Sequence, residues 1–217
     1  MLRIYWADVS GLSLDVERLA LSEYRKEKLL RIQSEQKKRQ SLGAELLLMH
    51  ALKSAYPEIS FPFEIKCNEK GKPAFVNIPL CFSLSHSGNY AACAVSDLPV
   101  GIDIEHAVIC KDAVAKRFFS QHEQEIIISA KDKDKAFAKL WTVKESALKF
   151  LGSGLSGGLQ NVLVYDDIVL LKPENRKLFI RQFTEGNICF SVCTEKVQQD
   201  IQIEKIELNK LEATTVF

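Results

Sequence analysis

Val100-Gly-Ile-Asp-Ile-Glu105 stands near the middle of the chain, and the prediction of the fold starts from it. Its β-branched residues alternate with other side chains, a period of two that is typical of a β-strand. A turn-forming sequence, Ser96-Asp-Leu-Pro99, comes directly before it. From this strand onward, the order of predicted elements in the first part of the chain is repeated.

The elements on either side of this boundary follow one plan: a strand, then helices, then a run of strands. Before it, periodicity predicts a strand over 2–9, helices near 14–20, 23–33 and 36–54, and strands over 63–68, 74–77, 80–86 and 89–96. From it onward, the pattern predicts a strand over 100–106, helices near 111–117, 121–129 and 134–151, and strands near 161–171, 177–184 and 187–194. The tail from Glu195 alternates in hydrophobicity, which fits either a last strand or a peripheral helix.

Two glycine turns support a repeat of this plan. Ser87-Gly-Asn-Tyr90 and Glu185-Gly-Asn-Ile188 both occupy predicted hairpin turns, and their glycines lie 98 residues apart. We therefore predict an α+β fold built from two similar halves, residues 1–98 and 99–217, that pack as a pseudo-dimer. A ligand would bind in the cleft between the halves.

Length and composition are those of a folded protein without a dominant charge. The 217 residues suffice for one large domain or two small ones, and 47% are hydrophobic against 26% charged. The formal net charge is +1, so no global field marks nucleic acid or an anionic membrane as a partner. No apolar run reaches the roughly 18 residues of a bilayer span, and the first residues do not resemble a signal peptide. The six cysteines form no CxxC pair, which favours a reduced, cytoplasmic protein.

Two acidic side chains share one face of the predicted strand at 100–106. Asp103 and Glu105 alternate with Ile102 and Ile104, which point to the opposite face. Neighbouring carboxylates repel each other unless a cation neutralises them. Ligation by oxygen alone, with few protein groups, suits Mg²⁺ that is shared with substrate phosphates. The alternative is an edge strand with a solvated acidic face, and the metal hypothesis needs a third ligand from elsewhere.

The helix predicted near 134–151 contains a carboxylate that could supply this ligand. A helical wheel places Lys144 within an apolar stripe and puts Glu145 and Lys149 on its flank. An ammonium in an apolar face and the carboxylate beside it both need partners. Two other interpretations stay open: an internal ion pair with an extended Lys144, and a routine surface pair of Glu145 with Lys149.

A third motif, Phe82-Ser-Leu-Ser-His-Ser-Gly88, runs from a predicted strand into a turn that exposes Ser85, His86 and Ser87. Hydroxyls, an imidazole and backbone amides near a glycine can together bind a phosphate. A histidine in a turn is more often simply solvated. Adjacent serine and histidine side chains on a strand point apart, which argues against a hydrolase triad.

Taken together and in this order, four motifs resemble those of the 4′-phosphopantetheinyl transferases, in particular the monomeric two-domain class that activates peptide synthetases. They are Gly71-Lys-Pro73, Phe82–Gly88, Val100–Glu105 and Trp141-Thr-Val-Lys-Glu-Ser-Ala-Leu-Lys149. The resemblance implies a fold of two similar α+β halves, in agreement with the repeat. It also implies that coenzyme A donates phosphopantetheine to a serine of an apo acyl, peptidyl or aryl carrier protein. Mg²⁺ would be required and 3′,5′-ADP released.

The resemblance also implies roles for individual residues. Asp103, Glu105 and Glu145 match the family's Mg²⁺ ligands, and the analogy favours Glu145 as the general base. Lys149 and Ser85 match contacts to the pyrophosphate of coenzyme A. The residues similar in placement to the 3′-phosphate clamp are Arg25, Lys28, Arg39 and His86, while Lys72 resembles the lysine of the adenosine pocket. Glu123 matches an acid that is usual in this class, with no role assigned to it.

Two rival functions use the same residues. One is a non-catalytic protein that binds coenzyme A or a nucleotide, against which the intact trio of acids argues. The other is a Mg²⁺-dependent pyrophosphohydrolase with water as the nucleophile. The hydrolase would release 3′,5′-ADP without any carrier serine, so this requirement separates the two enzymatic hypotheses.

Overall fold

The computed structural model describes residues 1–17, 19–106, 108–154, 158–173 and 175–208. Its elements in chain order are β1 (Leu2–Asp8), α1 (Glu23–Arg31), α2 (Glu35–Ala55), β2 (Ile65–Cys67), β3 (Pro73–Phe75), β4 (Cys81–Ser87), β5 (Tyr90–Ser96), β6 (Val100–His106), α3 (Asp112–Phe118), α4 (Gln121–Ser129), α5 (Lys133–Leu151), β7 (Val162–Tyr165), β8 (Ile168–Leu171), β9 (Arg176–Glu185), β10 (Ile188–Thr194) and β11 (Ile201–Lys205). A short 3₁₀ helix at Leu159–Asn161 precedes β7. Within these described ranges, no helix is both long and apolar enough to cross a membrane.

The first sheet has the strand order β11-β1-β5-β4, and α2 packs against it. Serine side chains cap both helices of this part of the chain: Ser22 accepts a hydrogen bond from the Arg25 N–H, and Ser34 accepts one from the Lys37 N–H. All residues of α2 from 40 to 49 are buried, because the sheet covers one side of the helix and α1 with the preceding loop covers the other. The helix is therefore enclosed in the core of this half.

The second sheet has the order β6-β10-β9-β8-β7 with antiparallel neighbours throughout, and α5 crosses β6 and β10. Gly101 lies where β6 touches α5. A Cβ at this position would lie 2.0 Å from the carbonyl oxygen of Ser146 and 2.4 Å from the amide nitrogen of Phe150. The glycine of the Val100–Glu105 motif therefore allows strand and helix to meet backbone against backbone.

A third core joins the two sheets. It consists of side chains from β1 and β5 on one side and from β6 and β10 on the other: Leu2, Ile4, Trp6, Ala92, Ala94, Val100, Ile102, Ile104, Ile188, Phe190 and Val192. The apolar side of β6, predicted from its alternation, faces this core. The acidic side of the same strand is consequently directed to the opposite side, where α5 lies.

The predicted α+β class is confirmed, with two local corrections. Residues near 14–20 were predicted as a helix, whereas the described ones form an irregular segment. There, the Ser13 hydroxyl accepts from the Asp15 N–H and the Asp15 carboxylate accepts from the Glu17 N–H. Such local bonds compete with helix formation. The single strand predicted near 161–171 is a hairpin of β7 and β8, with Asp166 at a positive φ of 38° in the turn.

The tail and the glycine turns bear on the predicted repeat. Of the two alternatives for the tail, the structure contains the strand, β11, which runs parallel to β1 in the first sheet. Gly88 and Gly186, which follow β4 and β9, have φ values of 57° and 56°, in the left-handed region. The division into 1–98 and 99–217 stays a prediction, and β11 lies beyond that boundary in sequence while pairing within the first sheet.

Candidate active site

A cleft of about 520 Å³ opens beside β4 and β6, with α1 on one side and α5 on the other. It brings together most of the residues singled out from the sequence. Those that line it are Arg25, Lys28, Lys72, Ser85, His86, Asp103, Glu105, Glu145 and Lys149. Carboxylates from β6 and α5 form one part of its wall, and cations from α1 and the loop before β3 form another.

Asp103 lies at the centre of the acidic wall and is only 4% exposed. Its Oδ1 atom accepts hydrogen bonds from the Ser85 hydroxyl at 2.7 Å and from the Lys149 ammonium at 2.6 Å. Lys149 also donates to the Ser85 oxygen at 2.6 Å, so the three groups form a triangle. The other carboxylate oxygen, Oδ2, is buried and has no hydrogen-bond partner among the described residues. An orphaned buried oxygen of this kind indicates a missing ligand.

The two glutamates beside Asp103 are poorly accommodated as anions. Burial, and after it the charge of Asp103, raises the pKa of Glu145 to about 7. The pKa of Glu105 is raised by the same two causes, while the Ser87 hydroxyl, which donates to Oε2 at 2.5 Å, opposes the rise. The protein alone therefore disfavours having all three carboxylates charged, and a cation placed among them would reverse this.

The donor set matches a hard divalent cation. Three carboxylates, one with a free buried oxygen, supply the oxygen ligands that Mg²⁺ prefers, with waters or phosphate oxygens completing the shell. In the part of the chain that the structure describes, no three acidic, histidine or cysteine side chains converge on a single point at which a metal could sit. The Lys149 ammonium supplies the positive charge beside Asp103 instead.

Another part of the cleft lining is cationic and contains Arg25, Lys28 and Lys72. The pKa of His86 is lowered to about 4, first by burial and then by Lys149 and Lys28, so its imidazole is neutral at pH 7. The pKa of Lys28 is lowered as well, by burial and then by Arg25. The side chains of His86 and Lys28 are nevertheless exposed to solvent, and a bound anion would relieve the repulsion between the neighbouring positive groups. This wall is suited to a phosphate.

Comparison with known proteins gives the family. The sequence model of the 4′-phosphopantetheinyl transferase superfamily matches residues 99–204, which include the Val100–Glu105 and Trp141–Lys149 motifs. The 4′-phosphopantetheinyl transferase psf-1 of Bacillus pumilus is 40% identical over 128 residues, covering 57% of this chain and 54% of that protein. The similarity to 4′-phosphopantetheinyl transferases thus covers residues 99–204 in the superfamily model and 57% of this chain in the alignment with psf-1. The resemblance carried by the four motifs is thereby confirmed.

Of two further similarities, the first covers more of the chain and the second is more distant in sequence. The 4′-phosphopantetheinyl transferase Sfp of Bacillus subtilis (strain 168) is 34% identical over 140 residues, covering 63% of this chain and 62% of that protein. The matched part thus spans little more than half the length of these curated relatives. A solved structure, the holo-[acyl-carrier-protein] synthase (AcpS) of Thermotoga maritima, has a TM-score of 0.34 and 17% identity over 44% of this chain and 61% of that one.

Arg25 is held in the cleft by partners that the sequence analysis missed. Its guanidinium donates to Glu45 at 3.1 Å and to the Ser41 hydroxyl at 2.6 Å, and Arg25 and Glu45 are almost fully buried. Glu45 also accepts hydrogen bonds from the N–H and hydroxyl of Ser22. The available signal was the lone acid in the apolar run Gly43–Met49 of α2, because a buried carboxylate requires a cation.

Arg39, in contrast, is not brought into the cleft. Its Nε donates to the Leu12 carbonyl oxygen at 3.1 Å and its Nη2 to Glu35 at 3.1 Å on the same helix. The guanidinium therefore connects the start of α2 to the segment between β1 and α1, which contains Leu12. It is absent from the described residues that line the cleft, unlike Arg25 and Lys28.

The structure shows what Glu123 and Lys144 do. They form an ion pair of 2.9 Å in which both side chains are inaccessible to solvent. Lys144 also donates to the carbonyl oxygens of Leu159 and Val162, and Glu123 accepts from the Val164 N–H. The internal ion pair that the sequence analysis left open for Lys144 is therefore observed. The network joins α4, α5 and β7, and it fixes the rotation of α5 that turns Glu145 toward the cleft.

Lys72 lines the cleft and also connects the turn between β2 and β3, which form a separate two-stranded sheet, to β6 and α5. Its ammonium donates to the carbonyl oxygens of Phe150, at 2.9 Å, and Val100, at 3.3 Å. Phe150 lies in the last turn of α5, where a cation stabilises the exposed carbonyl groups. Burial lowers the pKa of Lys72. The loop before β3 is thus attached to the end of the helix that carries Glu145 and Lys149.

Proposed function

We propose that the protein transfers the 4′-phosphopantetheine group of coenzyme A to a serine of an apo acyl, peptidyl or aryl carrier protein and releases 3′,5′-ADP. The observation that carries the proposal is Asp103, whose Oδ1 is bound by Lys149 and Ser85 while its buried Oδ2 is left open, beside Glu105 and Glu145. The match of residues 99–204 to the transferase superfamily supports the same activity.

The charge distribution along the cleft matches the parts of coenzyme A. We place the 3′-phosphate against Arg25, Lys28 and His86, where cations crowd together, and the adenosine beside Lys72. The pyrophosphate then lies at Ser85 and Lys149, next to the acidic wall. A hydrolase or a non-catalytic binder would need the same contacts. The cleft therefore supports coenzyme A as the ligand, and the experiment below distinguishes a carrier serine from water as the acceptor.

We propose that Asp103, Glu105 and Glu145 hold Mg²⁺, which, when bound, supplies positive charge that offsets the charge of the pyrophosphate. The carrier serine oxygen forms a bond to the β-phosphorus as the bridging oxygen–phosphorus bond breaks. Glu145 takes the serine proton, a role that follows the family analogy. Lys149 stabilises the charge that develops on the departing 3′,5′-ADP.

We also propose that one chain is the functional unit, a cytoplasmic monomer whose residues 1–98 and 99–217 form two similar halves. The matching left-handed glycines at the β4–β5 and β9–β10 turns support the internal repeat. All six cysteines are free thiols, which suits a reducing compartment.

The test is the intact mass of apo carrier proteins after incubation with this protein, coenzyme A and Mg²⁺. We expect a gain of one phosphopantetheine group, lost with Asp103→Asn and with a carrier whose serine is replaced by alanine. Asp200→Asn, an exposed change before β11, is the matched control and should retain the gain. Release of 3′,5′-ADP without a carrier would identify a hydrolase. Coenzyme A binding without any reaction would identify a binder, and either result would overturn the proposal.

A further inference from the structure

Three serines at alternate positions of β4 join the edges of the two sheets. The N–H groups of Ile102, Ile104 and His106 on β6 donate to the hydroxyl oxygens of Ser83, Ser85 and Ser87, at 3.0, 3.3 and 3.3 Å respectively. The two strands belong to different sheets, so side chains take the place of a backbone ladder here. The alternate serines of the Phe82–Gly88 motif thus have a structural function that does not involve a ligand.

These three hydrogen bonds, from here on the serine ladder with one rung for each serine, satisfy backbone N–H groups of β6 that would otherwise lack an acceptor. One edge of β6 is paired with β10, so the N–H groups of its other edge need acceptors from outside the second sheet. Leaving a buried donor unpaired is costly. The three serines are spaced two residues apart along β4, so the hydroxyl oxygen of each accepts a hydrogen bond from one of these N–H groups. Each serine hydroxyl then has one proton left to donate.

That remaining proton is directed at a carboxylate on two of the three rungs. Ser85 donates to Asp103 at 2.7 Å, and Ser87 donates to Glu105 at 2.5 Å. Because the N–H from β6 already occupies a lone pair of the serine oxygen, the O–H must turn away from it, toward the acid. The hydroxyl of Ser83, in contrast, makes only one hydrogen bond among the described residues, the one that it accepts from the Ile102 N–H.

We propose that Ser87 is a positioning residue: it holds the Glu105 carboxylate in the orientation that a divalent cation in the cleft requires. Ser87 itself does not line the cleft, whereas Glu105 does, so it acts through the glutamate. The first sheet thereby sets the geometry of a ligand carried by the second. The inference rests on the proposed function, in which Glu105 is a metal ligand. It gives Ser87 the role of orienting that ligand, which the sequence motif alone did not indicate.

The test compares Ser87→Ala with Ser83→Ala. Both variants remove a rung of the same ladder, but only the first releases a carboxylate. Binding of Mn²⁺ in the presence of 3′,5′-ADP, followed by electron paramagnetic resonance, should weaken about 10-fold or more in Ser87→Ala. It should change less than about 2-fold in Ser83→Ala, and Ser87→Thr, which retains the hydroxyl, should restore most of the affinity. Urea unfolding of both variants measures the structural cost separately.

Transfer assays add a second readout. The Mg²⁺ concentration for half-maximal transfer should rise in Ser87→Ala by the same factor as the loss of Mn²⁺ affinity. If Ser87→Ala and Ser83→Ala bind Mn²⁺ equally and differ only in stability, the rung is purely structural and the inference is wrong. Failure of the proposed function is distinguishable, because it would show in the wild-type protein as the absence of transfer; a wild type that binds no metal would overturn both.

Discussion

His86 is the residue whose charge should report most directly on what the cleft binds. In the protein alone, burial, Lys149 and Lys28 keep the pKa of its imidazole near 4. A phosphate among these cations would stabilise the imidazolium, so binding of 3′,5′-ADP should raise the pKa of His86 toward its ordinary value. Proton uptake then accompanies binding, and affinity should fall as pH rises through the pKa of the complex.

The measurement is a titration of the histidine ring signals by NMR, with and without nucleotide. Adenosine 5′-monophosphate, which lacks the 3′-phosphate, should leave the pKa of His86 nearly unchanged. His50 is an internal control, because burial also lowers its pKa but it lies outside the described lining of the cleft. An unaltered His86 in the presence of saturating 3′,5′-ADP would remove this residue from the phosphate site.

The predicted site residues in sharp motifs line the cleft, whereas the diffuse basic run contains Arg25 and Lys28, which line it, and Arg39, which does not. The periods of the strand and the helix predicted which side of its own element each acidic-wall residue faces. These residues are Asp103, Glu105, Glu145 and Lys149, and all four line the cleft. Arg39 belonged to a basic run on helices, where many positions are equivalent, and it binds a loop carbonyl oxygen instead. The pairing of Glu123 with Lys144 connects two helices, which no spacing within one element reveals.

At the scale of elements, the contact of β6 with α5 determines whether the acidic wall forms at all. Gly101→Ala would place a methyl group 2.0 Å from a backbone oxygen of α5, and backbone atoms cannot move aside as a flexible side chain can. We expect the variant to lose about 3 kcal/mol of unfolding free energy, the upper part of the usual range for overpacking. The strand that carries Asp103 should also move away from Glu145 and Lys149.

Urea unfolding measures this cost, and Gly186→Ala provides the comparison. Nothing lies within 4 Å of a Cβ at Gly186, so its cost is limited to the left-handed backbone conformation at φ 56°. That penalty is about 1 kcal/mol. Equal losses in the two variants would mean that β6 and α5 can separate freely, contrary to the contact described.

Most elements were predictable because each is long or strongly patterned. The long helices α2 and α5 and the alternating strands β6 and β10 have a clear period, and their ends agree with the prediction within one or two residues. The segment near 14–20 contains enough leucine and valine for a helix, but turn-type hydrogen bonds from Ser13 and Asp15 compete with it. The β7–β8 turn lacks glycine and proline and is marked in the sequence only by Asp166-Asp167, a weaker turn signal.

At the scale of the whole molecule, the two sheets should unfold as one unit. They share a core formed by β1, β5, β6 and β10, the serine ladder and the Lys72 contacts to the end of α5. Separating the halves would expose all of these at once, so no stable half should remain. The two tryptophans provide independent probes, with Trp6 in the shared core and Trp141 in the cleft.

Variants Trp6→Phe and Trp141→Phe leave one fluorophore each. In both, the urea transition seen by fluorescence should coincide with that seen by far-ultraviolet circular dichroism, even though Trp6→Phe lowers the midpoint by loosening the core. A fluorescence transition of either tryptophan that precedes the loss of secondary structure would show that one half opens before the other.

The pairing of β1 with β11 has a consequence for how the polypeptide emerges from the ribosome. Leu2 lies opposite Ile201, so β1 is synthesised long before the strand that pairs with its outer edge. Until then, β1 presents unsatisfied backbone groups that can attach to other nascent chains. Contacts this remote along the sequence slow folding, so we expect β1 to be exposed to aggregation until β11 has been synthesised.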